Sequence, residues 1–239
     1  TWFEQFATSL RMSDLGYSNQ NQSRINISLN SLDEYVRDLS RAIRTPEPSY
    51  EAIGVKVGDR YEQLNTNLLQ IENEYYSSVR PKRVARSGEQ PTAALRRDGI
   101  EYVEIRSLDI NMFDPSGINQ NTMRFMEAFL IYCLLEDSPK LNGDELEEIR
   151  HNHSGTAKRG RDPDFRLQRR GKAVTLQSWA REILENVMTV AEMIDRNGSD
   201  GSYRASVGIL RAMVENPDST LSARIVAELE QGGTSYFEF

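Results

Sequence analysis

The chain has 239 residues, a formal net charge of −7 and a single cysteine. This length buries a sizeable core, as one large domain or two small ones, and the acidic balance argues against a general nucleic-acid binder. One thiol excludes an internal disulfide framework and a Cys-rich zinc site and fits a reducing cytosol; no leader or membrane span is visible, the longest apolar stretch near 128–135 being far too short.

Residues 8–17, Thr-Ser-Leu-Arg-Met-Ser-Asp-Leu-Gly-Tyr, read as a short strand that ends at the Asp14–Gly16 turn and carries Arg11 near its middle. Over 31–44 the spacing of Leu32, Tyr35, Val36, Leu39 and Ile43 predicts a helix, with Ser31 and Glu34 as a capping box and Pro46 and Pro48 as its end. A polar connection follows at 50–63, with room for a hairpin around Gly58-Asp59. Residues 69–83 read as a second strand closed by Pro81, crowding Glu72, Asn73, Glu74, Tyr75 and Tyr76 together. On a strand, alternation would put Glu72 and Glu74 opposite Asn73.

The stretch 80–98 carries Arg80, Lys82, Arg83, Arg86, Arg96 and Arg97 and reads as a loop, either a solvated linker or a basic lip that attracts phosphates. Residues 99–113 mix apolar and polar types at strand spacing, and two-residue spacing sets Glu104 beside Arg106 on one face. That pair is either an ion pair on a wet sheet face or a site holding a divalent cation with the carboxylate and an anion with the guanidinium.

From about 119 the pattern is helical. An almost all-round apolar helix is expected at 119–136, central to the core and burying Cys133 as a small hydrophobe. A short acidic helix at 143–151 and a basic loop at 152–174 follow, then helices at 175–196, 201–215 and 219–231, with Asn197-Gly198 as a C-cap and Ser219 as an N-cap. His151-Asn-His153 spells a nuclease motif without the dispersed residues that motif needs, and reads as solvated loop. Strands first and helices afterwards give an α+β class, an antiparallel sheet backed by helices with a helical C-terminal half. The corresponding parts are 1–118, carrying the active-site sheet, and 119–239, helical and packed on it.

Three strings carry a family likeness: "SLRMSDLGY" at 9–17, "QIENEYY" at 70–76 followed by "RPKR", and "GIEYVEIRSLDIN" at 99–111. Together they resemble the proteobacterial-type glutamate–cysteine ligases. The likeness continues more weakly through "RFMEAFLIYCLLEDSP" at 124–139, "GRDP" at 160–163 and "ENPDSTLSARI" at 215–225. It implies a glutamine-synthetase-like sheet forming a funnel-shaped active site. The chemistry it implies is phosphorylation of the glutamate γ-carboxylate by ATP. The cysteine amine then attacks the acyl phosphate, giving γ-glutamylcysteine, ADP and phosphate in the cytoplasm.

The resemblance further implies residue roles. Glu104 matches a ligand for Mg²⁺ (or Mn²⁺), and Arg11 and Arg106 match catalytic arginines facing the substrates and transferring phosphate. Tyr17 and Tyr76 match tyrosines of the cysteine pocket, and Asn73 faces nucleotide or metal. Family members are roughly twice this long, so the chain is expected to be an internal fragment, inactive without the upstream half that supplies further metal ligands. Neither a nucleic-acid nor a membrane partner is expected. Two other readings stay open: a non-catalytic binding or regulatory fragment, and a related carboxylate–amine ligase with a different amine acceptor.

Overall fold

The computed structural model describes residues 4–16, 25–198 and 200–233. The chain divides into two compact units, one spanning Tyr17–Leu108, the other combining Thr1–Gly16 with Asp109–Phe239. The N-terminal segment therefore groups with the helical half.

In the first of these units, helix α1 (Leu32–Ala42) is the organising element. Ser31 accepts from the Glu34 N–H at 3.1 Å, and the Glu34 carboxylate accepts from Ser28 Oγ at 2.6 Å. The expected apolar stripe is present: Tyr35, Val36, Leu39 and Ala42 are buried with Ile27, Leu69 and Leu95, and Leu32 and Ile43 pack alongside. A short helix α2 (Pro48–Ile53) leads to an exposed ribbon, β1 (Lys56–Val57) with β2 (Arg60–Tyr61), turning at Gly58-Asp59 as expected.

The second predicted strand does not form as read. Residues 72–74 make a 3-10 turn, and only β3 (Val79–Lys82) pairs, antiparallel with β4 (Tyr102–Ile105). The physical reason is Glu72, which is buried and turned inward so that its carboxylate accepts from both the N–H and Oγ1 of Thr92. Thr92 lies in the first turn of α3 (Pro91–Asp98), so the Glu72 carboxyl group caps that helix, and strand alternation no longer governs 72–74. Helix α3 also corrects the reading of 80–98 as loop. Its signals were in the sequence: Pro91 at the first position and Gly99 just past the end, at φ 77°.

The other unit is built on α4 (Gln120–Leu135), α6 (Leu176–Arg196) and α7 (Ser202–Glu215), which pack mutually around Ala128, Leu184, Val187, Val190, Ala191 and Val207. Helix α4 is not central. One stripe, Phe125, Ala128, Phe129 and Tyr132, meets the other two helices, while Met123, Leu130, Leu134 and Leu135 are exposed, and Cys133 with them. Helix α6 supplies the middle of the cluster.

Helix α5 (Gly143–Arg159) is longer than expected, with a full capping box between Asn142 and Glu145. The expected loop 152–174 is in fact the end of α5 and a hairpin of β5 (Arg166–Arg169) with β6 (Lys172–Thr175). Its turn, Arg170-Gly171, has φ of 52° and 74°, a backbone hand that matches strand twist. Asn152 fastens the hairpin to α5, donating to Gln168 O at 2.6 Å and accepting from Gln168 N at 2.8 Å. After a 3-10 turn at 217–219, helix α8 (Leu221–Gly232) starts from Thr220, one residue past the expected Ser219 cap.

The class is α+β. The strands, however, form three separate two-stranded antiparallel ladders among the described residues rather than the expected single sheet. Over the described part of the predicted strand at 8–17, residues 8–16, no strand forms either. There the Ser9 and Ser13 hydroxyls bind nearby backbone, Ser9 Oγ accepting from Met12 N at 3.0 Å and Ser13 Oγ donating to Leu10 O at 2.7 Å. Such local bonds hold the segment in turns and compete with a ladder. No described helix is long and apolar enough to cross a membrane.

Candidate active site

The β3–β4 ladder sets Arg80 directly opposite Glu104. Beyond β4 the pairing runs one residue further, Arg106 N–H donating to Ser78 O at 2.8 Å, so Glu104 and Arg106 project from the same face as their spacing predicts. They form an ion pair, Arg106 Nε to Glu104 Oε1 at 3.3 Å. Two more cations flank the second oxygen: Lys82 Nζ at 3.7 Å and Arg80 Nη1 at 4.0 Å from Oε2. Arg80 is buried to 5% exposure, an unusual place for a guanidinium. Burial pushes the neighbouring Tyr35 phenol up, and Arg80 beside it pulls it partly back.

Three cations around one carboxylate leave the cluster with excess positive charge. Glu104 Oε2 and Arg80 Nε are both buried and make no hydrogen bond among the described residues. A buried carboxylate oxygen in that state is a donor suited to a hard cation, and the surplus guanidinium charge suits an anion. The described residues hold no group of three or more His, Cys, Asp or Glu that could enclose a metal, so Glu104 offers one ligand here.

Arg106 also lines a cleft of about 500 Å³ with Tyr50, Gln70, Ile71, Asn73, Glu74 and Tyr76. The 3-10 turn at 72–74 shapes this cleft. It turns Glu72 inward and leaves Asn73 and Glu74 on the cleft wall, where Glu74 also accepts from Gln70 N at 2.7 Å. Tyr76, just after the turn, is 38% exposed. The walls thus bring an amide, a phenol and a guanidinium to one concavity.

Of the residues singled out in the sequence, the structure gathers Asn73, Tyr76 and Arg106 around this cleft, with Glu104 paired to Arg106. Arg11 belongs to the other unit, in a turn whose backbone N–H donates to Asp109 Oδ1 at 3.1 Å. Tyr17 lies outside the described residues. Sequence reasoning missed Arg80 and Lys82 as members of the Glu104 cluster. Their two-residue spacing on either side of Pro81 was the available signal, hidden by reading 80–98 as loop. Of the remaining basic residues of that stretch, Arg83 pairs with Glu101 at 3.8 Å and Arg97 with Glu89 at 3.0 Å.

The family model for glutamate-cysteine ligase matches residues 1–156. A glutamate–cysteine ligase of Alcanivorax borkumensis is 49% identical over 238 residues, covering 98% of this chain and 45% of its own. That of Pseudomonas aeruginosa is 45% identical over 239 residues, again 45% of its length. The chain therefore spans a little under half of the curated relatives it matches. Among solved structures, the glutamate–cysteine ligase of Francisella tularensis in complex with AMP superposes with a TM-score of 0.87 at 36% identity, over 95% of this chain and 45% of that one. A bifunctional glutathione synthetase of Pasteurella multocida, 21% identical with a TM-score of 0.63, shares the fold over 98% of this chain and 25% of that one. Family model, relatives and fold agree, and the chain belongs to the glutamate–cysteine ligase family.

Proposed function

We propose that this chain carries part of the active centre of an ATP-dependent ligase that joins the γ-carboxylate of L-glutamate to the amine of L-cysteine through a γ-glutamyl phosphate, the first step of glutathione synthesis, in the cytoplasm. Family membership supports the reading. The observation that carries it is Arg106, one guanidinium that both lines the cleft and pairs with Glu104. The physical difficulty of the reaction is bringing a carboxylate up to a polyphosphate. Arg106 meets it as a catalytic residue by stabilising charge on the transferring phosphoryl group, with Arg80 and Lys82 around Glu104 adding positive field, and the family likeness gives Arg11 the same catalytic role.

Asn73 orients the nucleotide through its amide; the AMP complex of the Francisella relative supports a nucleotide as co-substrate. Tyr76, with Tyr17, donates a phenol hydrogen to the carboxylate of cysteine. Glu104 would hold Mg²⁺ (or Mn²⁺) through Oε2, which makes no hydrogen bond among the described residues, with further ligands from the part of the longer relatives that this chain does not cover. When bound, the divalent ion offsets the repulsion between the two anions.

The test uses the chain extended upstream to the length of its relatives, with Mg-ATP and glutamate, with and without cysteine. Cysteine-dependent ADP release that Glu104→Gln abolishes is the expected result. Tyr76→Phe should raise KM for cysteine roughly ten-fold while that for ATP stays within about two-fold, the loss expected of one hydrogen bond to a charged group. ADP release indifferent to cysteine would assign a different amine acceptor, and no release would mean a protein that binds without catalysing.

A further inference from the structure

We infer that Asp109 is a positioning residue for Arg11, fixing the turn from which that side chain projects. The inference rests on the proposed role of Arg11 at the transferring phosphate. The segment carrying Arg11 pairs with no strand among the described residues and takes its place chiefly from two sets of bonds. The first is to the C-terminal end of α5, whose last-turn carbonyls accept bonds from outside the helix. Thr8 N–H and Ser9 N–H both donate to Ala157 O, at 2.9 and 3.2 Å, and Thr8 Oγ1 donates to Thr156 O at 2.6 Å. Arg161, in the Gly-Arg-Asp-Pro string that the proposed chemistry leaves without a role, donates from its backbone N–H to Phe6 O at 3.1 Å and from Nε to Ala7 O at 3.2 Å. Gly160 permits this approach, since a Cβ there would stand 2.6 Å from Thr8 Cγ2.

The backbone bonds to α5 stop at Ser9; beyond Arg11 one exposed side-chain contact returns to that helix, Lys158 Nζ donating to Asp14 Oδ2 at 2.8 Å. The second set, to Asp109, begins at Ser9: the Asp109 carboxylate accepts from Ser9 Oγ and from the Arg11 N–H, the latter at 3.1 Å. Ser9 Oγ in turn accepts from Met12 N at 3.0 Å, so one carboxylate sets the backbone on both sides of Arg11. Gly16 closes the turn from the far side, because a Cβ there would collide with the carbonyls of Leu10 and Arg11. Asp109 is itself exposed and lies outside the buried cluster of its unit. Its two charge-assisted bonds therefore direct a local backbone more than they hold the fold. A side chain as long as arginine amplifies any rotation of its own peptide, and misplacement by about 1 Å costs on the order of 100-fold in rate.

The test is a double-mutant cycle in the enzyme extended upstream to the length of its relatives, pairing Asp109→Ala with Arg11→Ala. Asp109→Ala alone should lower kcat by about 10- to 100-fold, leave KM for cysteine within about two-fold and leave Tm nearly unchanged. In the Arg11→Ala background the same substitution should change kcat by less than about two-fold, because it acts through a side chain already removed. Asp109→Asn, which keeps one acceptor for the Arg11 N–H, should restore most of kcat. Multiplicative losses in the double mutant would overturn the positioning role while leaving Arg11 in place. An Arg11→Ala enzyme with unchanged kcat would bring down the role of Arg11 itself, and this inference with it. Independently of turnover, Asp109→Ala should speed hydrogen exchange at the Arg11 and Met12 amides, and unchanged exchange there would show that Asp109 does not hold the turn.

Discussion

Arg97 and Glu89 show how a single pair can set a titration without being buried. The guanidinium meets the carboxylate through two bonds, Nε to Oε1 at 3.0 Å and Nη2 to Oε2 at 3.1 Å, and the Arg86 N–H adds a third at 2.8 Å. These donors, Arg97 first, lower the Glu89 pKa from 4.5 to about 2. A carboxyl depressed by folding adds stability that is complete above its unfolded pKa and is lost as pH falls through the folded one, here between about 4.5 and about 2. A carboxyl-carbon NMR titration should place the Glu89 midpoint near 2, and in Arg97→Gln it should return most of the way to 4.5. A midpoint unmoved by the substitution would assign the depression to the Arg86 backbone instead. Glu104 presents the contrasting case, a carboxylate surrounded by three cations with one oxygen left without a hydrogen bond.

At the scale of elements, α5 illustrates a helix chosen for what lies against it. Gly155 sits in its interior, where alanine would normally favour the helix by roughly 1 kcal/mol. A Cβ at this position would collide with the ring of Phe165, which is buried at the entry to β5. Gly155→Ala is therefore expected to destabilise the fold by about 1–3 kcal/mol in chemical denaturation, the cost of overpacking, with the sign opposite to helix propensity. A gain in stability would mean that the ring swings aside freely.

The same helix marks where sequence reading ended early. Residues 143–151 were legible from their acidic helical run, but the pattern beyond them is set by contact with a hairpin whose turn, Arg170-Gly171, lacks the usual Asn-Gly or Asp-Gly letters. Helices α1, α6 and α7 were legible because each carries a continuous apolar stripe. The turn at 72–74 was not, since a buried Glu bonded to Thr92, twenty residues on, overrides local strand propensity. At the site, the Glu104–Arg106 pair followed from two-residue spacing alone, whereas Arg80 and Lys82 entered only through their partner strand.

For the molecule as a whole, the division into two units has an energetic signature. Leu69, 1% exposed, belongs to the α1 cluster, and Val187, fully buried, to the α4–α6–α7 cluster. Leu69→Ala should cost about 2–5 kcal/mol and raise hydrogen-exchange rates in α1 and α3 while sparing α6 and α7. Val187→Ala should reverse the pattern. Equal acceleration everywhere in either variant would mean that the two clusters open as one cooperative body.

The anchoring of the Arg11 turn also places the molecule in time. Its partners are far along the chain: Asp109 lies 100 residues from Ser9, and Thr156 lies 148 from Thr8. A ribosome adding ~5–20 residues per second delivers Arg161 on the order of ten seconds after Arg11. Until then the segment lacks its α5 anchor, while the α1 cluster can already condense. The arginine proposed for the transferring phosphate is thus made well before the residues that set its turn in place.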